Sequence, residues 1–190
     1  MENIVRTRTT TKKTDIRKIV SMGMLAAISI VLVYAIRLPI IPIAPFLEYD
    51  PADIPILIGT FIYGPVAGLI LTVIVSVIQG VTVSAGSNII GIIMHIVATG
   101  SCVLIAGNIY RRNKTKKTAA IALAVGVLVM TTAMVLMNLV LTPLFLGQPL
   151  EAVIDLLLPA VIPFNLIKAG LNCSITFLLY KSISHLFKGE

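Results

Sequence analysis

Lys168, Asn165 and Asn172 are the side chains whose types and spacing point most clearly to chemistry. They lie in Pro163-Phe164-Asn165-Leu166-Ile167-Lys168-Ala169-Gly170-Leu171-Asn172, inside a long apolar run. At about 100° per residue the three fall within a helical wedge of roughly 60°, so one face of an apolar helix carries an ammonium and two amides. A cation at bilayer depth costs at least ~2.5–3.5 kcal/mol, and such a residue is a functional-site hypothesis by default. Three donor-rich groups on one face would make the wall of a polar binding pocket. The bland alternative is a lysine satisfied by the carbonyl of a neighbouring helix. The predicted spans contain no acid that offers Lys168 a simple ion pair.

Other polar residues within apolar runs are few. Asn138 lies near the outer end of its helix and reads equally well as helix–helix glue or as a ligand contact. Gln79 and Asn88 are weaker candidates of the same kind. His95 reads first as a packing residue, and His185 falls at the C-terminal end. There is no His-x-x-x-His pair, no Gly-x-Ser-x-Gly elbow and no paired carboxylate at membrane depth, so catalysis is not expected. Cys102 and Cys173 both sit in apolar runs and read as packing residues, so neither a disulfide framework nor a metal site is expected.

The elements that would position these groups are membrane helices. Of 190 residues, 57% are hydrophobic and 12% charged, against about 25% charged in soluble domains. That length allows about six spans of roughly 20 residues each. It leaves no room for an ATP-binding domain, and no Gly-x-x-x-x-Gly-Lys-Ser/Thr loop is present. The net charge of +7 is not a nucleic-acid footprint. The basic residues gather before the first apolar run, in the loop 111–117 and at the C-terminus, whereas Glu48, Asp50, Asp53, Glu151 and Asp155 occupy the other polar stretches. That is the positive-inside pattern. It places both termini in the cytoplasm of a multi-pass cell-membrane protein, with the basic surfaces toward anionic lipid. The first run lacks a cleavage site and reads as a retained helix.

Residues 1–14 read as a flexible basic arm and 15–190 as a single six-helix domain. Helices are expected over about 16–36, 54–63, 66–83, 88–110, 118–141 and from Pro159 or Pro163 to about 186, with a possible amphipathic segment at 151–158. Pro39, Pro42 and Pro45 impose an extended external loop. Asp50 reads as a helix N-cap with Pro51 at the first helical position, and the acids of this loop are expected to be solvated. Gly64-Pro65 breaks the second apolar stretch. Topology requires an odd number of crossings between residues 53 and 111, which supports the break. Tyr34, Tyr49, Tyr63, Tyr110 and Tyr180 fall near helix ends, as an interfacial belt would. Gly23 and Ala27 form a small-x-x-x-small pair that lets another helix approach.

Leu47-Glu48-Tyr49-Asp50-Pro51-Ala52-Asp53-Ile54-Pro55, then Gly59 and Tyr63-Gly64-Pro65-Val66-Ala67-Gly68, and Pro163-Phe164-Asn165-Leu166-Ile167-Lys168 together carry a family resemblance. The chain resembles the substrate-binding S components of energy-coupling-factor vitamin transporters, and within them the riboflavin-specific type. The resemblance implies an all-α, six-transmembrane-helix bundle with an external loop over a ligand pocket. It implies noncovalent binding of riboflavin as transported substrate, with no cofactor. Ligand contact is carried over to Asn138, Asn165 and Lys168, and to Leu47, Glu48 and Gln79. It also implies docking on a coupling membrane subunit bound to two ATPase subunits. The family's docking helix often has two alanines spaced by four; here Gly23 and Ala27 stand in the nearest match. An S component for another vitamin is the alternative, with a membrane enzyme of lipid or prenyl chemistry further off.

Overall fold

The computed structural model describes residues 2–84, Gly86 and 88–188; side chains are described from Ile16 to Ile183 within that range. The chain runs α1 (Glu2–Ala35), β1 (Leu38–Pro39), β2 (Glu48–Tyr49), α2 (Asp53–Tyr63), α3 (Pro65–Val81), α4 (Asn88–Arg112), α5 (Lys116–Leu146), α6 (Leu150–Leu156) and α7 (Ile162–Lys188). The backbone is helical from Glu2, so α1 includes most of the expected basic arm. Its apolar, membrane-capable part is Ile16–Ala35.

Among the described residues, four helical stretches are long and apolar enough to cross a membrane: Ile16–Ala35, Asn88–Arg112, Lys116–Leu146 and Leu150–Ile183. The apolar helices α2 and α3 are shorter. Large apolar side chains such as Val66, Leu144, Leu158 and Leu178 stand exposed on the outside. With little polar surface to offset them, these faces fit lipid and not water. Inside, Leu25, Val33, Ile56, Leu57, Leu71, Val75, Val103 and Met130 belong to one continuous core.

The break between α2 and α3 is built by Gly64 at φ +95°, a conformation that favours glycine, followed by Pro65 at the start of α3. The two helices then fold back against each other. A Cβ on Gly68 would lie 2.0 Å from Thr60 Oγ1, so the absence of a side chain there permits the close approach. On the far side, α4 is equally near: a Cβ on Gly107 would meet Thr60 Cγ2 at 2.7 Å and Pro65 Cβ at 2.9 Å.

Several expectations change. The loop between α1 and α2 is not wholly extended: the Ala44 N–H donates to the Ile41 carbonyl and the Leu47 N–H to the Ala44 carbonyl, each at 3.0 Å, and these turns bring β1 and β2 together antiparallel, Leu38 opposite Tyr49 and Pro39 opposite Glu48. Helix α2 starts at Asp53 with Ala52, and not Asp50, as its cap residue. Asp50 Oδ1 instead accepts from the Ala52 N–H at 3.1 Å, an Asx-type turn that leads into the helix. Helix α5 passes through Pro143 and ends at Gly147, which closes it in the left-handed conformation. Between α6 and α7, Leu157–Val161 widens to π-type bonding. Pro159, which lacks an N–H, lies within this stretch, where a regular helix would lose a bond.

The tyrosines do not form one interfacial belt. Tyr34 is exposed, but Tyr110 and Tyr180 are buried. They pack with Phe61, Tyr110 stacked on its ring at 4.3 Å and Tyr180 edge-on at 5.4 Å. Aromatic area was better spent here on joining α2, α4 and α7.

Gly68→Ala is expected to destabilise the bundle by about 1–3 kcal/mol through overpacking, lowering its thermal unfolding temperature in detergent. Adding Thr60→Ala should recover most of the loss. An unchanged midpoint in the single variant would contradict the close packing of α2 on α3.

Candidate functional site

The first loop is drawn over the bundle by apolar packing at one end and by charge at the other. Ala44 and Leu47 bury against Ala160, Val161 and Phe164 of the π segment and α7. Phe46 lies tilted against Phe145 of α5, ring centres 6.4 Å apart. Beyond them Asp50 enters the interior, where Lys168 Nζ donates to its Oδ2 at 2.7 Å. The lysine side chain is 9% exposed and the aspartate 6%, so this is a buried pair.

The partner of Lys168 is therefore a carboxylate, not a helix carbonyl. The expectation that the loop acids are solvated fails for Asp50 and Asp53, which are both buried. Burying two charges is tolerable when they are paired and their remaining valences are filled. Here they are. Asp50 Oδ1 holds the Ala52 N–H. Asn172 Nδ2 donates to the Asp50 carbonyl and to Asp53 Oδ2, each at 3.1 Å. Thr99 Oγ1 donates to Asp53 Oδ1 at 2.7 Å. Tyr49 donates its hydroxyl to Asn172 Oδ1 at 3.1 Å. Burial, aided by the Asp50 carboxylate and opposed by Lys168, pushes the Tyr49 phenol above its ordinary value, so it remains a donor at physiological pH.

His95 joins the same network. Its Nδ1 is 2.6 Å from Ser76 Oγ. Its Nε2 lies 3.4 Å from Asp53 Oδ1 without a hydrogen bond. It also lines the cavity described next, so it is more than the packing residue expected.

Beneath the loop is a partly open cavity of about 150 Å³. Its walls mix apolar groups from Met94, Met130, Met134, Ile92 and Phe164 with Gln79, Asn138, Thr142 and Lys168. Leu47 and Glu48 close it from the loop. Five of the six residues expected to contact ligand therefore meet here. Asn165 does not. It is buried, and its Nδ2 is held by the Val161 carbonyl at 2.8 Å, one turn back in the π segment. Asn138 lines the cavity, and its side-chain bonds, given to Met134 O at 2.7 Å and accepted from Thr142 at 2.8 Å, stay within α5 and join no second helix.

Arg37 is a charged cavity residue that the sequence did not single out. It sits just past α1, pairs with Glu48 and donates to the Val83 carbonyl. Its position at the edge of an apolar run made it look like an ordinary interfacial cation. Away from the cavity, Gly23 and Ala27 are on the exposed side of α1, with open space where a Gly23 side chain would be. Among the described residues, no group of three or more His, Cys, Asp or Glu side chains could hold a metal ion.

These features define a membrane-embedded binding protein: an all-helical bundle with an internal cavity roofed by a loop, its polar groups arranged to hold a solute. The profile of the family described as "ECF transporter, substrate-specific component" matches residues 17–180. The chain is 32% identical to riboflavin transporter RibU of Staphylococcus aureus, over 90% of this chain and 93% of that one. It is 30% identical to riboflavin transporter RibU of Streptococcus thermophilus, over 87% and 82%. Riboflavin transporter FmnP of Bacillus subtilis is 27% identical, over 86% and 90%. A solved S component of a bacterial ECF transporter superposes with a TM-score of 0.78 at 29% identity, covering 92% of this chain and 99% of that one. The protein belongs to the substrate-specific components of ECF transporters, which are membrane transport subunits and not enzymes.

Lys168→Met alone leaves Asp50 buried and unpaired, and is expected to destabilise the fold by about 3–5 kcal/mol. Asp50→Asn combined with Lys168→Met keeps the turn acceptor, removes the stranded charge and should recover most of that loss. Additive destabilisation in a double-mutant cycle would show that the two groups do not act as a pair.

Proposed function

We propose that this protein captures riboflavin outside the cell and delivers it to an ATP-driven coupling module. The observation that carries this reading is its similarity, over nearly the whole chain, to relatives named riboflavin transporters. The chemistry of the cavity supports it. Riboflavin is uncharged, with a broad apolar ring, ring carbonyls and a polyhydroxy chain. Methionine, isoleucine and phenylalanine walls suit the ring faces, and Lys168, Asn138, Gln79 and Glu48 supply donors and acceptors for the polar edges. Leu47 packs from the loop side. Asn165 is one turn before Lys168 on the same face, and its amide must leave the Val161 carbonyl to reach the ligand.

In this reading α1 to α5 and α7 are six membrane crossings, with both termini cytoplasmic and the loop between α1 and α2 outside. The short helices α2 and α3 count as separate crossings because Gly64-Pro65 separates them. The coupling membrane subunit, itself bound to two ATPases, docks on the lipid-exposed Gly23 and Ala27 side of α1. Small residues there allow close helix approach.

Detergent-purified protein is expected to show a flavin absorbance band, or to quench riboflavin fluorescence saturably at stoichiometric ligand. Folded, monodisperse protein that does neither lacks this specificity, and other vitamins would then be screened. Asn138→Ala is expected to weaken riboflavin binding by about tenfold or more, the penalty of an unmet polar group in a desolvated site. Ala27→Trp should leave riboflavin binding intact while abolishing uptake by cells that carry the coupling module. Normal uptake by that variant would move docking off this face.

A further inference from the structure

Helices α3 and α4 pack against each other with glycine at their tightest points. Near the Gly64-Pro65 break, a Cβ on Gly107 of α4 would lie 2.9 Å from Pro65 Cβ. Midway along, a Cβ on Gly100 would lie 3.2 Å from Leu69 Cδ1. At the other end the roles reverse, and the glycine belongs to α3. A Cβ on Gly80 would lie 2.1 Å from Cγ1 and 2.6 Å from Cδ1 of Ile92 in α4, but 3.6 Å from its Cβ. The outer part of the Ile92 side chain is therefore seated in the space that Gly80 leaves empty.

Gly80 and Ile92 both line the cavity, beside Gln79 and His95. With a side chain at position 80, Ile92 could not keep its place. The close contacts at Gly100 and Gly107 hold the two helices together further along, which opposes their parting. The free volume that Ile92 borders is the cavity itself, about 150 Å³. An ethyl-sized group swung into that space would take a sizeable share of it, and the packed surroundings offer no other room. We infer that Gly80 sets the width of the cavity by seating Ile92 against α3, and with it the breadth of ligand admitted. On the riboflavin reading, that breadth is the flavin ring's. Gly80 is a positioning residue: it acts through Ile92 and needs no contact of its own with ligand.

Ligand size separates this role from a merely structural one. A variant that only loosens the fold lowers the binding-competent fraction and weakens every ligand by one factor. A narrowed pocket weakens the bulkier ligand more, since a single methylene in an apolar pocket is worth about 10- to 200-fold.

The binding tests rest on the riboflavin reading. Kd is measured by fluorescence quenching for riboflavin, for 7,8-didemethylriboflavin, whose ring is smaller, and for lumiflavin, which lacks the polyhydroxy chain. Gly80→Ala is expected to weaken riboflavin about tenfold or more, and at least one trimmed flavin by clearly less. Adding Ile92→Ala removes both atoms in conflict and should return riboflavin affinity to that of Ile92→Ala alone. Equal losses for all three flavins, or no recovery in the double variant, overturn the inference. Should Gly80→Ala fail to fold, Ile92→Phe crowds the same wall with Gly80 intact, and the same size-dependent loss is expected. A crystal structure of Gly80→Ala without ligand should show Ile92 turned into the cavity. Ile92 in place, with α3 and α4 spread apart, overturns the inference whether or not riboflavin binds. Ile92 turned inward in a protein that binds no flavin keeps the role of Gly80 and removes the riboflavin reading.

Discussion

The buried contact between Asp50 and Lys168 is the constraint on which the site depends. It joins residues 118 positions apart in sequence, and it brings the loop, α2 and α7 to one point. Each group alone would be intolerable at that depth. Together they fix where the loop must lie, and the loop's position fixes the roof of the cavity. Asn172, Tyr49, Thr99 and Asp53 complete the arrangement by leaving few valences open. The network also limits what the loop can do, because its end at Asp50 is anchored.

The helices were largely legible in the sequence because lipid imposes a simple rule. A span must be apolar and long enough to cross, and its ends must bear polar groups or breakers. The first span, the Gly64-Pro65 break and the start of α4 at Asn88 all follow from that rule. Where α5 ends was not legible, since Pro143 is a strong stop signal in isolation. The helix gains enough from packing to run past it until Gly147 turns the chain out.

The site was legible only from one side. An ammonium flanked by amides on one apolar face marked the pocket wall, and four of its helical and loop contributors were identifiable alongside it. The acid that balances Lys168 was visible as a residue but not as a partner. Asp50 follows three prolines in a loop between helices, where solvation of an acid is the ordinary expectation, and only the folded chain shows that loop turning inward. Arg37 escaped notice for a related reason: a cation at a helix end has many uses, and its two partners are 11 and 46 residues away. Asn165 was the converse case. Its helical position was read correctly, yet the π segment ahead of it offers a carbonyl that draws its amide away from the cavity.

Helix α1 packs mainly on α2 and α3, and none of its membrane-capable residues lines the cavity. Its outward side and the solute-holding interior therefore share almost no atoms. Amino-acid drift on that side is nearly free of penalty inside, and the interior residues can be exchanged without disturbing the outward surface. A lineage built this way can change its cargo and keep its machinery, or change its machinery and keep its cargo. The separation is a property of where one helix happens to pack, and it makes the bundle unusually easy for selection to rework one half at a time.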